Sequence, residues 1–303
     1  MLHLSTVVTI PEKFTIYKIN DVLCQIISPD LNPLDSKFIF DLTRIQFCDP
    51  GGIAVLYNLC MWLKESESVE MEIKIDSSTT NYKHRQAMAY IEDCGFFSYF
   101  FDVNNIFGNG ELRSTTLPIR LLKVQDSYQW NRVTLKQWLQ KSTGRNAEFS
   151  NIQVGIEEIF NNIQDHSSKR IGCVFGQFFP RRNEVVITAS DFGLGIPNVM
   201  RTTFDLEDEL ELLLKALEEG VSTRSTPRNR GAGLPNIMRS LTSSNIGTVQ
   251  ILSNYAKVKI EDGEVTSKCR LKNYYPGTFF ELTIDISNEE LYESEEEEEF
   301  GWS

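Results

Sequence analysis

Apolar residues along the chain fall into short blocks whose period alternates between that of a strand and that of a helix. Lys37-Phe-Ile-Phe-Asp-Leu42 is a dense apolar run of the kind that forms a buried strand. Asp49-Pro-Gly-Gly52 reads as a turn, and apolar residues then recur at helical spacing from Ile53 to Lys64. Val69 to Ile75 predicts a second strand with Met71, Ile73 and Ile75 on one face. Tyr82 to Ile91 predicts a helix, and Cys94-Gly-Phe-Phe follows it. Strand, turn, helix, strand, helix in this order predicts an α/β layer structure. Residues 102–116, with Asn104, Asn105, Gly108, Asn109 and Gly110, read as a linker.

A second unit opens with a strand expected over Leu117 to Val124 and a helix carrying Leu135, Trp138 and Leu139. Phe149 to His166 predicts a long helix, and Glu184 to Ala189 a strand running into Asp191-Phe-Gly-Leu-Gly-Ile-Pro197. Leu206 to Glu219 predicts an amphipathic helix stopped by Gly220. Thr248 to Leu252, Val258 to Ile260 and Thr278 to Ile286 predict strands, the last with Phe280, Leu282, Ile284 and Ile286 on one face.

With 303 residues, 41% hydrophobic and 24% charged, the chain has the make-up of a globular protein of one large or two ordinary domains. The longest nearly unbroken apolar stretch, Gly51 to Leu63, is too short to span a bilayer, and no secretion signal is seen. Of the formal net charge of −12, eight negative charges lie in residues 287–303, which hold no base. That acidic tail is expected to be disordered; docking through Phe300 and Trp302 is the other reading. The body is only mildly acidic and has no basic stripe of the kind that binds nucleic acid. Six scattered cysteines and three histidines are poor material for a zinc site and fit small core residues in a reducing cytoplasm.

Three clusters carry candidate chemistry. On the helix ending at His166, Ile156, Ile159, Phe160 and Ile163 form a core stripe, while Glu158, Asn162 and His166 form a second stripe at four-residue spacing. A carboxylate, an amide and an imidazole in one row suit a metal–phosphate site, with Glu158 as general base and Asn162 as a hard oxygen ligand for Mg²⁺. A solvated polar face reads equally from this helix alone. Asp191-Phe-Gly193-Leu-Gly195 places a carboxylate at a strand end, where it can accept from an exocyclic amine, and lets a flat ligand approach the glycines; an ordinary strand-to-loop turn is the alternative. Gly231-Ala-Gly233-Leu-Pro precedes a helix start, where amides and the helix dipole favour phosphate, or it is a plain turn. It lacks the Gly-Lys-Ser/Thr ending of a Walker A loop and the third glycine of a Rossmann fingerprint.

Taken in order, the acid–amide helix, the Asp-x-Gly-x-Gly turn, the Gly-x-Gly-Leu turn and the later Gly277-Thr278 resemble the GHKL ATPase family, which includes histidine kinases, anti-sigma-factor serine kinases and the DNA gyrase B subunit. Glu158-Ile-Phe-Asn-Asn162-Ile-Gln-Asp-His166 looks like its N box, Asp191 to Gly195 its G1 box, and Gly231 to Pro235 its G2 box. The likeness covers roughly Leu117 to Ile286. It implies an ATP site in which Asp191 binds the adenine amino group, with Thr278 supporting it through a water, and Gly193 and Gly195 border the base. Asn162 would hold Mg²⁺; Arg230, Gly231, Gly233 and Leu234 the phosphate end; His166 would lie near the phosphates. Glu158 matches the family's general base, and Pro197 to Arg230 its ATP lid.

The first third is similar to the STAS domain of anti-sigma-factor antagonists, on Phe38-Ile-Phe-Asp-Leu-Thr-Arg-Ile-Gln-Phe-Cys-Asp49-Pro-Gly-Gly-Ile-Ala-Val-Leu and on Tyr90 to Phe100. Where that family often has a phosphorylated serine, this chain has Pro50, Gly51 and Gly52, a departure that points to a structural or partner-docking role in place of phospho-switching. The whole is expected to be α/β (α+β): a STAS-like unit over 1–110, a GHKL two-layer α/β sandwich over 111–286, and the tail over 287–303. The expected protein is a cytoplasmic ATP-binding regulator using ATP and Mg²⁺. It engages a protein partner through the STAS-like unit, touches neither nucleic acid nor membrane, and is compatible with a homodimer. Slow hydrolysis, serine phosphorylation of a partner, and nucleotide gating without chemistry all stay open; a histidine autokinase is disfavoured, because no helical hairpin with an acceptor His precedes the ATP unit.

Overall fold

A computed structural model describes residues 5–66, 69–103, 105–108, 110–166, 171–221 and 233–292, the side chains of 122–125, 164–166, 171 and 233 excepted. Its first part comprises β1 (Thr6–Thr9), β2 (Lys13–Phe14), α1 (Ile19–Leu23), β3 (Lys37–Asp41), β4 (Phe47–Cys48), α2 (Pro50–Lys64), β5 (Glu70–Lys74), α3 (Tyr82–Asp93) and α4 (Phe96–Phe101). Strands β1, β3 and β5 form a parallel sheet in the order β1-β3-β5, and β2 pairs with β4. The turn before α2 is fixed by its own sequence. Asp49 Oδ1 accepts from the Gly52 N–H at 2.7 Å, and Pro50 takes the first helical position, where its missing N–H leaves no bond unmade.

Residues 102–116, expected as a linker, are pinned at the point where they pass α3. The Glu92 carboxylate accepts from the N–H groups of Ile106, Phe107 and Gly108. The second part then runs through β6 (Thr116–Lys123), α5 (Val124–Gln129), a π-helical turn at Trp130–Leu135, α6 (Lys136–Thr143), α7 (Ser150–His166), β7 (Ile171–Phe179), β8 (Glu184–Phe192), α8 (Ile196–Met200), α9 (Glu209–Ala216), α10 (Gly233–Thr242), β9 (Gly247–Glu261) and β10 (Glu264–Asp285). Five strands form one antiparallel sheet in the order β6-β7-β8-β10-β9.

Both faces of this sheet are covered. Val185, Ile187 and Ala189 of β8, Phe280, Leu282 and Ile284 of β10, and Val249 and Ile251 of β9 alternate onto one face. They bury Ile152, Ile156, Ile159 and Ile163 of α7, Leu212 and Leu213 of α9, and Ile237 and Leu241 of α10. Gly155 sets the approach of α7 to α10, since a Cβ there would lie 2.4 Å from Leu241 Cγ. Cys173, Phe175, Phe192, Leu252, Tyr275 and Phe279 share a second core with the N-terminal unit. Helix α2 is central to that core: it packs against β5 of the parallel sheet and against β7 and β8 of the antiparallel one. This is why Gly51 to Cys60 are buried without a polar face. The layers therefore run parallel sheet, α2, antiparallel sheet, helices.

The junction is polar at two points. Asn58 Nδ2 donates to Ser190 Oγ at 2.9 Å, and that oxygen lies 2.7 Å from the Tyr275 hydroxyl, all buried. At the start of α2, a Cβ on Gly51 would stand 3.1 Å from both Glu281 Oε2 and Phe279 Cζ, and one on Gly52 would stand 2.7 Å from the Phe14 carbonyl oxygen. The first turn of α2 is thus packed against β10 and β2.

Several expectations shift. The predicted strands Thr248–Leu252 and Val258–Ile260 are one strand, β9, and Thr278–Ile286 is the end of the longer β10. The helix expected over 206–219 spans only Glu209–Ala216, because Asp208 caps it by accepting from the Glu211 N–H at 3.0 Å. Cys24 and Cys269 are exposed, while Cys48, Cys60, Cys94 and Cys173 are buried. No helix among the described residues is long and apolar enough to cross a membrane.

Candidate functional site

Asp191 is the penultimate residue of strand β8, and its side chain falls on the face that carries α7, as the alternation from Val185, Ile187 and Ala189 requires. Its cross-strand partner on β10 is Thr278, and the partner of Thr278 on β9 is Ser253. The three side chains make one buried row across adjacent strands. Asp191 Oδ1 accepts from the Thr278 N–H at 3.2 Å. Burial pushes the Asp191 carboxyl up to about 7, against the lowering effect of that backbone bond.

The turn after Asp191 is built by glycines that sequence alone could not justify. Gly195 has φ +76°, and a Cβ on it would fall 2.5 Å from Asn254 Nδ2. Gly193 donates its N–H to the Pro276 carbonyl at 3.2 Å, drawing the loop onto β10. Gly277 has φ +131°, and a Cβ there would meet the Asp191 carbonyl oxygen at 2.3 Å. Asp191, Gly193, Gly195 and Thr278 therefore lie close together. The Asp191 to Thr278 contact is a direct backbone bond.

On α7, Asn162 Nδ2 donates back to the Glu158 carbonyl at 2.8 Å, which ties the two positions across one turn. With its nitrogen so used, the Asn162 amide keeps Oδ1 as the atom that could hold a hard cation. Glu158 is half-buried on the same helix. Its neighbour Glu157 instead pairs with Arg132 at 3.4 Å, in keeping with a separate register. Gly233 opens α10, and Leu234 is buried in the core shared with α7. The His166 side chain, Arg230 and Gly231 lie outside the described residues.

Within the expected lid segment, α8 and α9 are packed elements, with Leu210, Leu212 and Leu213 buried against the sheet. Sequence reasoning missed Ser253, Asn254 and Tyr274. Asn254 Nδ2 donates to the Leu194 carbonyl at 3.1 Å and to the Tyr274 hydroxyl at 2.7 Å, holding the glycine turn from the β9 side. The only signal for Ser253 and Asn254 was a polar pair interrupting an apolar strand. Chemically, the row offers acceptor atoms at a strand end, next to a backbone that a flat group can approach. Family models, curated proteins and solved structures were each compared with the chain, and none matches.

Proposed function

We propose that the chain is an ATP-binding regulatory protein of the GHKL type, in which a STAS-like unit is held on the outer face of the nucleotide-binding sheet. One observation carries this reading most: a buried carboxylate, Asp191, stands beside Thr278 at a strand end bordered by obligatory glycines, on the sheet face that packs the Glu158–Asn162 helix. An acceptor in a dry site discriminates strongly for an amine donor, because an unmatched group would leave it unpaired.

In this reading Asp191 accepts from the adenine amine, and Gly193 and Gly195 allow the ring to approach. Asn162 Oδ1 would hold Mg²⁺, which when bound offsets charge on the phosphates. Gly231, Gly233 and Arg230 would face the phosphate end, with His166 nearby. Glu158, one turn before Asn162, orients and deprotonates the attacking hydroxyl, whether of water or of a serine on a protein partner. Partner binding falls to surfaces of the STAS-like unit other than its α2 start, which β10 covers. The work is cytoplasmic and needs neither nucleic acid nor membrane.

The second reading, a nucleotide-gated interaction module without phosphate transfer, is favoured by the second core shared between the two units. ADP formation by purified protein separates the two. Turnover is expected in the parent, and Glu158→Ala is expected to bind ATP about as well while turnover falls by roughly two orders of magnitude or more. Turnover that survives Glu158→Ala removes Glu158 as base; none in the parent, even with partners present, selects the gated module.

A further inference from the structure

A serine hydroxyl has one proton and two lone pairs. Ser253, fully buried, uses all three. It donates to the Gly277 carbonyl at 2.8 Å and accepts from the Ile196 N–H at 2.9 Å. Its remaining lone pair faces Thr278 Oγ1 at 3.1 Å. That contact is a hydrogen bond only when Thr278 is the donor. The Thr278 proton is thereby committed to Ser253, and Oγ1 is left with lone pairs alone. Its neighbour in the row, Asp191, offers only acceptors when ionised.

We propose that Ser253 is a specificity-determining positioning residue: by fixing the Thr278 hydroxyl as an acceptor, it makes the floor of the base site read an exocyclic amine and reject an oxo group in the same place. The inference rests on the nucleotide reading above and goes beyond it, since Ser253 contacts Thr278 and the loop and not the base. An adenine amine then meets acceptors, whereas the oxygen of a 6-oxopurine meets lone pairs in a buried site. Without Ser253 the Thr278 proton is free to turn towards the ligand, and the oxo group gains a donor.

Inosine triphosphate differs from ATP at that edge of the base and is the matched probe. Affinities of the full-length protein for Mg-ATP and Mg-ITP are to be measured by titration calorimetry in the parent, Ser253→Ala, Thr278→Val and Thr278→Ser. The preference for ATP over ITP is expected to fall about tenfold in Ser253→Ala and in Thr278→Val, and to be kept in Thr278→Ser, which retains the hydroxyl. A purely structural clamp would weaken both nucleotides alike, so an unchanged ratio in Ser253→Ala overturns the proposal. Should Ser253→Ala fail to fold, Thr278→Val decides, and the parent's ratio in that variant overturns it. A parent that binds neither nucleotide fails the nucleotide reading itself, and this inference with it.

Discussion

Burial sets the chemistry of single residues here. Asp191 would titrate near 4 in water, but burial pushes it up to about 7, so on the proposed reading protonation would compete with amine recognition close to neutrality. Only the ionised form accepts from a donor with both oxygens. About one-tenth of the groups are ionised at pH 6 and about nine-tenths at pH 8, so ATP affinity at saturating Mg²⁺ is expected to rise about tenfold over that interval. Calorimetry across the range checks this, and Asp191→Asn should be flat with pH as well as weak. Asn162 makes a parallel case. Its nitrogen is used by the Glu158 carbonyl, so the oxygen is the atom it can give to a metal. Asn162→Ala should remove most of the Mg²⁺ dependence of ATP affinity in the same titrations; EDTA having no effect on the parent would count against the metal role.

Among the elements, α2 shows best what a pattern conceals. A helix was legible from Ile53 to Lys64, but Pro50, Gly51 and Gly52, read as a turn, belong to it as well, and the apolar run from Gly51 to Leu63 served only, by its shortness, to exclude a membrane span. The physical reason for that composition is burial between two sheets, and no local signal names the second sheet. The glycines of the turn are explained likewise. Gly52 lies against the Phe14 carbonyl, where a Cβ at 2.7 Å requires backbone movement. Gly52→Ala is expected to destabilise by about 1–3 kcal/mol, read as a lower urea midpoint at unchanged slope. Strand β7 was not legible, because Ile171-Gly-Cys-Val-Phe-Gly-Gln-Phe-Phe179 is apolar on both faces and lacks alternation. The long β9–β10 hairpin read as separate strands, because its outer half, from Ala256 to Tyr274, mixes lysines with apolar residues. Asp191 and Gly193 were singled out by the spacing of their turn, and Thr278 only through the family resemblance. Ser253 was not, since its partners come from loops on either side of it and from the next strand.

At the scale of the molecule, the junction of the two units brings two carboxyls, Asp49 and Glu281, to one cavity. Asp49 is raised to about 6 by burial, and Glu281 to about 7 by burial and then by the Asp49 charge. With Asp191, these carboxyls bind protons more tightly folded than unfolded. The native state therefore holds extra protons from about pH 4 up to about 7, and the stability they contribute, complete at the acid end, is lost as pH rises through that window. Asp41 and Asp208 are shifted down, Asp208 mainly by its hydrogen bond with Arg270 and Asp41 by bonds to Thr43 and Lys74 that outweigh its burial, so their contribution is lost only on the acid side. The melting midpoint is expected to be roughly 5 °C or more lower at pH 8 than at pH 5, and Glu281→Gln should flatten that slope. The junction also joins Asn58 of α2 to Ser190, the residue before Asp191, so the Asp191 row and the N-terminal unit share one strand. The functional reading turns on whether Asp191 holds a nucleotide. The most direct measurement is titration of ATP with Mg²⁺ into the full-length protein and its Asp191→Asn variant. The account predicts saturable binding by the parent and affinity weaker by about tenfold or more in the variant, with the fold intact. No saturable binding by the parent, or equal affinity in the two, would contradict it.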